Sequence, residues 1–165
     1  MIRRADVADI PALTAIENRC FVADRITPRS FRYLLTRANA AVVVEDRRGT
    51  IRGYAAVLFY RTTPLARLYS IAVDPKWQGH AIGRALIRES ERIAAIGNAA
   101  RLRLEVRIDN RRARAMYRKR GYRQLAVEFA YYADRTDALR LEKILAGHLR
   151  FGHRDPARTL VARAG

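Results

Sequence analysis

Ile71-Ala72-Val73-Asp74-Pro75-Lys76-Trp77-Gln78-Gly79-His80-Ala81-Ile82-Gly83-Arg84 is the stretch that decides how this 165-residue chain folds. An apolar run from Leu68 to Val73 stops at Asp74-Pro75. A short loop follows from Gln78 to Gly83, and Ala85, Leu86, Ile93 and Ala94 then recur at helical spacing. A strand, a loop of free backbone N–H groups and a helix start, in that order, make an anion site suited to a pyrophosphate. Gly79 and Gly83 are the only glycines in the loop, so the dinucleotide fingerprint G-x-G-x-x-G is absent. No Gly-Lys-Ser/Thr follows, which excludes the phosphate loop of nucleoside triphosphatases. Taken alone, the stretch also describes an ordinary strand-to-helix turn.

Downstream, the helical pattern runs from Arg84 to about Ile96 and meets Gly97-Asn98, a helix-ending pair. Leu102, Leu104 and Val106 alternate with Arg103, Glu105 and Arg107, which predicts a strand with one apolar face. Asn110 to Lys119 reads as a helix closed at Gly121. Tyr122 to Phe129 and Asp137 to Leu145 read as two strands joined through Tyr131-Tyr132-Ala133-Asp134. Upstream, Ile2 to Arg4 reads as a short edge strand. Asp6 caps a helix carrying Val7, Ile10, Leu13 and Ile16, and Thr27-Pro28 starts one carrying Phe31, Leu34 and Leu35. Ala41 to Val44 and Gly53 to Tyr60 are strands around the turn Arg47-Arg48-Gly49-Thr50, and Leu65 to Val73 is a third, central one. The predicted order is β-α-α-β-β-β-α-β-α-β-β.

Two motifs in this order carry a family resemblance. Gln78-Gly79-His80-Ala81-Ile82-Gly83 is similar to the Gln/Arg-x-x-Gly-x-Gly/Ala signature of the GNAT N-acetyltransferases, with Ala81 standing where the signature has glycine. A positive φ at Ala81 would cost about 1–2 kcal/mol, and a negative one little. Leu104-Glu105-Val106-Arg107, Asn110, Ala113, Tyr117 and Gly121-Tyr122 resemble the Leu-Glu-Val-Arg … Asn-x-x-Ala-x-x-x-Tyr-x-x-x-Gly-Phe/Tyr run of that family's RimI-type branch, the acetyltransferases of ribosomal-protein N-termini. Ile16-Glu17-Asn18-Arg19 with Phe21 resembles that branch too. The resemblance spans residues 1–145.

That resemblance implies an α/β (α+β) fold: a mixed, mostly antiparallel seven-stranded sheet with helices on both faces, splayed between strands 4 and 5, which end near Val73 and Arg107. It implies one domain over residues 1–145, acetyl-CoA as cosubstrate and no metal. Backbone groups of Ile71, Ala72 and Val73 would pair with the pantetheine arm. Gln78, Gly79, His80, Ala81, Ile82, Gly83 and Arg84 would hold the pyrophosphate, and Asn110 would bind pantetheine or substrate backbone. Glu105 would be the general base and Tyr117 the acid that protonates the departing thiolate.

The residues themselves leave competing readings. Glu105 faces the same way as Arg103 and Arg107 and equally describes an ion-paired strand carboxylate. Tyr117 equally describes a core tyrosine, His80 a solvent-facing loop residue and Trp77 a packing residue. The acceptor implied is a peptide or protein N-terminal amine. A small-molecule amine acetyltransferase and a non-catalytic basic nucleic-acid-binding module are the alternatives. The last lacks any helix-turn-helix, single-stranded-RNA or zinc-finger spacing.

Charge bears on partners. Thirty-three Lys and Arg against 16 Asp and Glu give +17, and Lys76, Lys119 and Lys143 are the only lysines. Such a surface favours anions: coenzyme phosphates, a ribosome, nucleic acid or an acidic peptide. Spread along the whole chain, it also describes a solvated basic surface. A basic acceptor would be repelled unless its groove were acidic, and Glu17, Asp24, Glu45 and Asp46 are the candidates for such a patch. Residues 146–165, with Arg150, Arg154, Arg158 and Arg163, read as a mobile basic tail. Cys20 is the only cysteine, which excludes an internal disulfide and fits a reducing compartment. Without an apolar leader or a run of ~18 apolar residues, the expectation is a cytoplasmic protein away from membranes.

Overall fold

The computed structural model describes residues 1–145, so the predicted basic tail 146–165 lies outside the described residues. Seven strands form one sheet in the order β1-β2-β3-β4-β5-β7-β6: β1 Ile2–Arg4, β2 Ala40–Arg47, β3 Thr50–Phe59, β4 Leu65–Val73, β5 Arg101–Arg107, β6 Arg123–Glu128 and β7 Ala138–Ile144. Only the β4–β5 pair is parallel; every other pairing is antiparallel. Four helices, α1 Ile10–Cys20, α2 Pro28–Thr36, α3 Ile82–Ile96 and α4 Arg111–Lys119, complete the α/β layering. The predicted mixed, mostly antiparallel sheet with helices on both faces is what forms.

Strand parity sorts the core into two layers. Val42, Val44, Tyr54, Ala56 and Ala72 face α1 and α2 and bury Leu13, Ile16 and Phe31. Ala41, Val43, Ala55, Val57, Leu102, Leu104 and Leu139 face the other way and bury Leu86, Ile87, Ile93 and Tyr117 from α3 and α4. Each large apolar side chain sealed this way contributes roughly 1.5–3 kcal/mol. Among the described residues no helix packs over the outward side chains of β5 as α1 and α2 do over β2, β3 and β4. That uncovered face is charged.

Helix starts follow local chemistry. Thr27 Oγ1 accepts the Ser30 N–H at 3.1 Å with Pro28 next to it, as predicted. Asp6 caps a single 3₁₀ turn, Val7–Asp9, in a reciprocal capping box with Asp9, so α1 proper begins only at Ile10. Asn110 caps α4 instead of lying inside it. The third helix starts at Ile82, two residues before the predicted Arg84. Among the described residues no helix is long and apolar enough to cross a membrane, and no cluster of three or more His, Cys, Asp or Glu is placed to hold a metal ion.

Candidate active site

The sheet opens in its middle. Parallel pairing joins Leu65↔Arg101, Ala66↔Leu102 and Arg67↔Arg103, and then stops. The cause is visible on the other edge of β4. Its register with β3 passes from Ala56↔Ser70 to Val57↔Leu68, leaving Tyr69 as the extra residue of a bulge that bends β4. Beyond Arg67, β4 continues to Val73 paired with β3 alone. The Asp74 N–H donates to the Arg52 carbonyl at 2.9 Å, so residues 72 and 74 turn their backbone groups toward β3. By alternation, those of Ile71 and Val73 face the opening, while Ala72 is engaged in the sheet. The Cys20 thiol donates to the Val73 carbonyl at 3.3 Å. Burial, aided by the charges of Asp74 and Glu17, pushes that thiol up to about 11, so it stays protonated and is no nucleophile.

At the end of β4, Asp74 accepts the Lys76 N–H at 3.0 Å and sets a 3₁₀ turn over Pro75–Trp77. The Arg52 guanidinium lies 5.2 Å from the Trp77 ring centre, and His80 packs edge-on to Trp77 at 5.8 Å. The His80 ring nitrogen Nδ1 lies 3.1 Å from the Trp77 carbonyl, folding the imidazole back on its own loop. Gly79 and Ala81 both adopt positive φ, 88° and 61°. The left-handed turn costs Ala81 about 1–2 kcal/mol that a glycine would avoid. No side chain caps the start of α3, and the first N–H groups of a helix have no partner within it. Ile82 is buried beneath them and Arg84 is exposed beside them. The result is a row of backbone donors at a helix N-terminus with no partner among the described residues.

In α4, the helix that follows β5, Tyr117 is 4% exposed within the core layer of Leu104 and Val106, with its ring edge-on to Tyr122 at 5.4 Å. Its hydroxyl has no hydrogen-bond partner among the described residues. Burial, with Tyr132 beside it, pushes the phenol well above its ordinary value and keeps it protonated. Asn110 uses Oδ1 to cap α4, accepting the Ala113 N–H at 3.0 Å, which leaves its amide N–H₂ for a ligand.

Glu105 is ion-paired, but not along its strand. Oε2 accepts from Arg67 Nε at 3.0 Å and Oε1 from Arg140 Nε at 3.1 Å. Arg103 turns instead to Glu142 at 2.7 Å, and Arg107 to Asp134 at 2.8 Å. Side chains on neighbouring strands stand closer than those two apart on one strand, so the partners come from β4 and β7. Arg67 Nη2 also donates to the Tyr131 hydroxyl at 2.7 Å, and Arg107 lies 4.9 Å from the Tyr132 ring centre. Arg67, Arg140, Tyr131 and Tyr132 therefore surround the candidate site although the sequence reading assigned them no role. Strand register brings Arg67 and Arg140 to Glu105, and the β6–β7 loop brings the two tyrosines.

The four candidates for an acidic patch all have partners within the fold. Glu17 is buried, accepting the Ile26 N–H at 2.8 Å and the Tyr54 hydroxyl. Glu45 is held below the usual carboxylate range by Arg52, whose Nε stands 2.7 Å away. Asp46 pairs with Arg3 at 2.9 Å. Asp24 accepts the Ala133 N–H at 3.1 Å and so ties the loop after α1 to the β6–β7 loop. A cleft of about 590 Å³ lies at the far end of α3 among Phe59, Pro64, Ile93 and Ile96. Fifteen helical residues, about 22 Å, separate it from the loop at Gly79.

Comparison with known proteins adds the chemistry. The Acetyltransferase (GNAT) family matches the chain over residues 10–122. N-alpha-acetyltransferase RimI of Mycobacterium tuberculosis is 34% identical over 128 residues, 76% of this chain and 79% of that one. Among solved structures, the ribosomal-protein-S18-alanine N-acetyltransferase from Escherichia coli superposes with a TM-score of 0.79 at 26% identity, covering 88% of this chain and 93% of that one. Ard1 from Thermoplasma volcanium superposes with a TM-score of 0.77 at 25% identity, covering 88% and 97%.

Proposed function

The chain belongs to the Acetyltransferase (GNAT) family and is an acetyltransferase, and from that premise we propose that it moves the acetyl group of acetyl-CoA to the N-terminal amine of a peptide or protein. The observation that carries this reading is the opening between β4 and β5, with the uncapped amides of α3 following β4 and α4, which bears the Tyr117 phenol, following β5. A cytoplasmic location goes with it, as does attraction of the +17 chain to ribosomal or nucleic-acid surfaces.

The residues fit acetyl-CoA, which when bound supplies an acetyl thioester. Ile71 and Val73 offer strand edge to the pantetheine amides, as an added strand would require. The amides from Gly79 to Arg84 receive the pyrophosphate, and Arg84 adds charge. Gln78 and Ala81 shape the turn, and His80 braces it through the Trp77 carbonyl. The Asn110 amide N–H₂ donates toward the pantetheine or the acceptor backbone. An α-amine has a pKa near ~8, so a useful fraction is already neutral at pH 7. Glu105 takes the remaining proton through a water, because each of its oxygens already meets a guanidinium. Tyr117, held protonated, gives its proton to the departing sulfur.

The test is product analysis after incubation with acetyl-CoA, an Ala-starting peptide, the same peptide blocked at its α-amine, and free amines. Acetyl on the peptide α-nitrogen alone is the expected product. Acetylated free amines with the peptide untouched would place the chain among small-molecule acetyltransferases and overturn the reading.

A further inference from the structure

A second cavity, about 250 Å³, adjoins Glu105 on the uncovered face of the sheet and is lined by Tyr60, Arg67, Arg103, Glu105, Tyr131 and Arg140. It is smaller than the ~300–1,000 Å³ that takes a whole small-molecule ligand, so it suits a side chain. Its walls carry three guanidinium groups and one carboxylate. Just outside them, Glu142 takes Arg103 at 2.7 Å and Arg101 at 3.7 Å, and Glu128 takes Arg140 at 2.9 Å. Four arginines thus meet three carboxylates. A guanidinium has five N–H donors, and these pairs do not use them all. Arg67 Nη1, Arg103 Nη1 and Arg140 Nη2 have no hydrogen-bond partner among the described residues. The three side chains are 27%, 28% and 32% exposed, so their donors are only partly hydrated.

We propose that this cavity is a subsite for a carboxylate that the acceptor carries close to its reacting amine. The inference rests on the acceptor reading above. It also answers a difficulty in that reading: with Glu17, Glu45 and Asp46 engaged within the fold, a chain of +17 is poorly matched to a basic N-terminus. A carboxylate entering beside Glu105 meets a carboxylate already neutralised by two arginines, and adds charge-assisted hydrogen bonds to the unused donors. The carboxylate can come from an acidic side chain in the first two residues of a peptide, or from the α-carboxylate of a free amino acid.

The experiment compares kcat/KM for peptides starting Ala-Asp, Ala-Asn and Ala-Lys in one common sequence, and for free aspartate against its diamide. The Asp peptide should exceed the Asn peptide by about tenfold at low salt, with Lys lowest. The ratio should shrink as salt shortens the Debye length to about 8 Å at 0.15 M. Arg103→Gln should bring the Asp peptide down to the Asn level while leaving the Asn peptide unchanged, and Arg103→Lys should restore part of the preference. Equal rates for Asp and Asn, or an equal fall for both in Arg103→Gln, would overturn the proposal. Preference for aspartate over its diamide with all peptides inert would keep the subsite and remove the peptide acceptor. Should no acceptor turn over, calorimetry of the Asp and Asn peptides with CoA present still decides: tighter Asp binding supports the subsite, and equal binding overturns it.

Discussion

Tyr117→Phe is expected to lower kcat by roughly 100-fold or more, the range a lost general acid produces, while leaving CoA affinity unchanged. The ring is buried against Tyr122, and phenylalanine fills the same space. The hydroxyl has no hydrogen-bond partner among the described residues, so its removal leaves no buried polar group unpaired. The loss therefore belongs to chemistry, not to folding. Thiol release measured at saturating substrates, beside calorimetry with CoA, separates the two. The pH profile sharpens the point. Burial keeps the phenol protonated well above its ordinary value, so the wild-type rate should climb as the acceptor amine loses its proton near pH ~8 and should show no downturn there. A variant with unchanged kcat would remove Tyr117 from the reaction.

Gly53→Ala is expected to destabilise the fold and weaken CoA binding together. Gly53 lies on β3 directly beneath the start of α3. A Cβ there would stand 2.8 Å from the Ala72 carbonyl oxygen and 3.2 Å from both Ile82 and Leu86. The carbonyl is backbone and cannot step aside, so β4 or α3 must move. Overpacking of this kind costs about 1–3 kcal/mol. Replacing a strand glycine gives back about 0.5–1 kcal/mol of chain entropy, and the clash wins. At about 2–4 °C per kcal/mol for a chain of this size, the melting temperature should fall by several degrees. The displaced groups are the strand edge at Ile71 to Val73 and the amides after Ala81, so CoA affinity should fall several-fold. An unchanged melting temperature would show that α3 does not rest on Gly53.

The sequence made the layers legible because parity and helical spacing are local. The alternation of Leu102, Leu104 and Val106 with charged residues marked β5, and Thr27-Pro28 marked α2, since each signal lies within a few residues. Glu105 shows where locality ends. That it would be ion-paired was readable; that its partners are Arg67 and Arg140 depends on β4 and β7 flanking β5, which no spacing records. Tyr131 and Tyr132 read as a connector for the same reason. The start of α3 was misplaced because Ala81 carries no capping side chain, and its left-handed φ has no signature in an alanine. Glu17, Glu45 and Asp46 are engaged within the fold, which their types alone do not reveal.

Where the cosubstrate sits is the point on which the account turns, and amide hydrogen exchange with and without CoA reads it directly. Slowed exchange is expected at Gly79 to Arg84 and at Ile71 and Val73, with little change around Phe59, Pro64 and Ile96. Protection centred on that larger cleft at the far end of α3, with the amides after Gly79 unaffected, would contradict it.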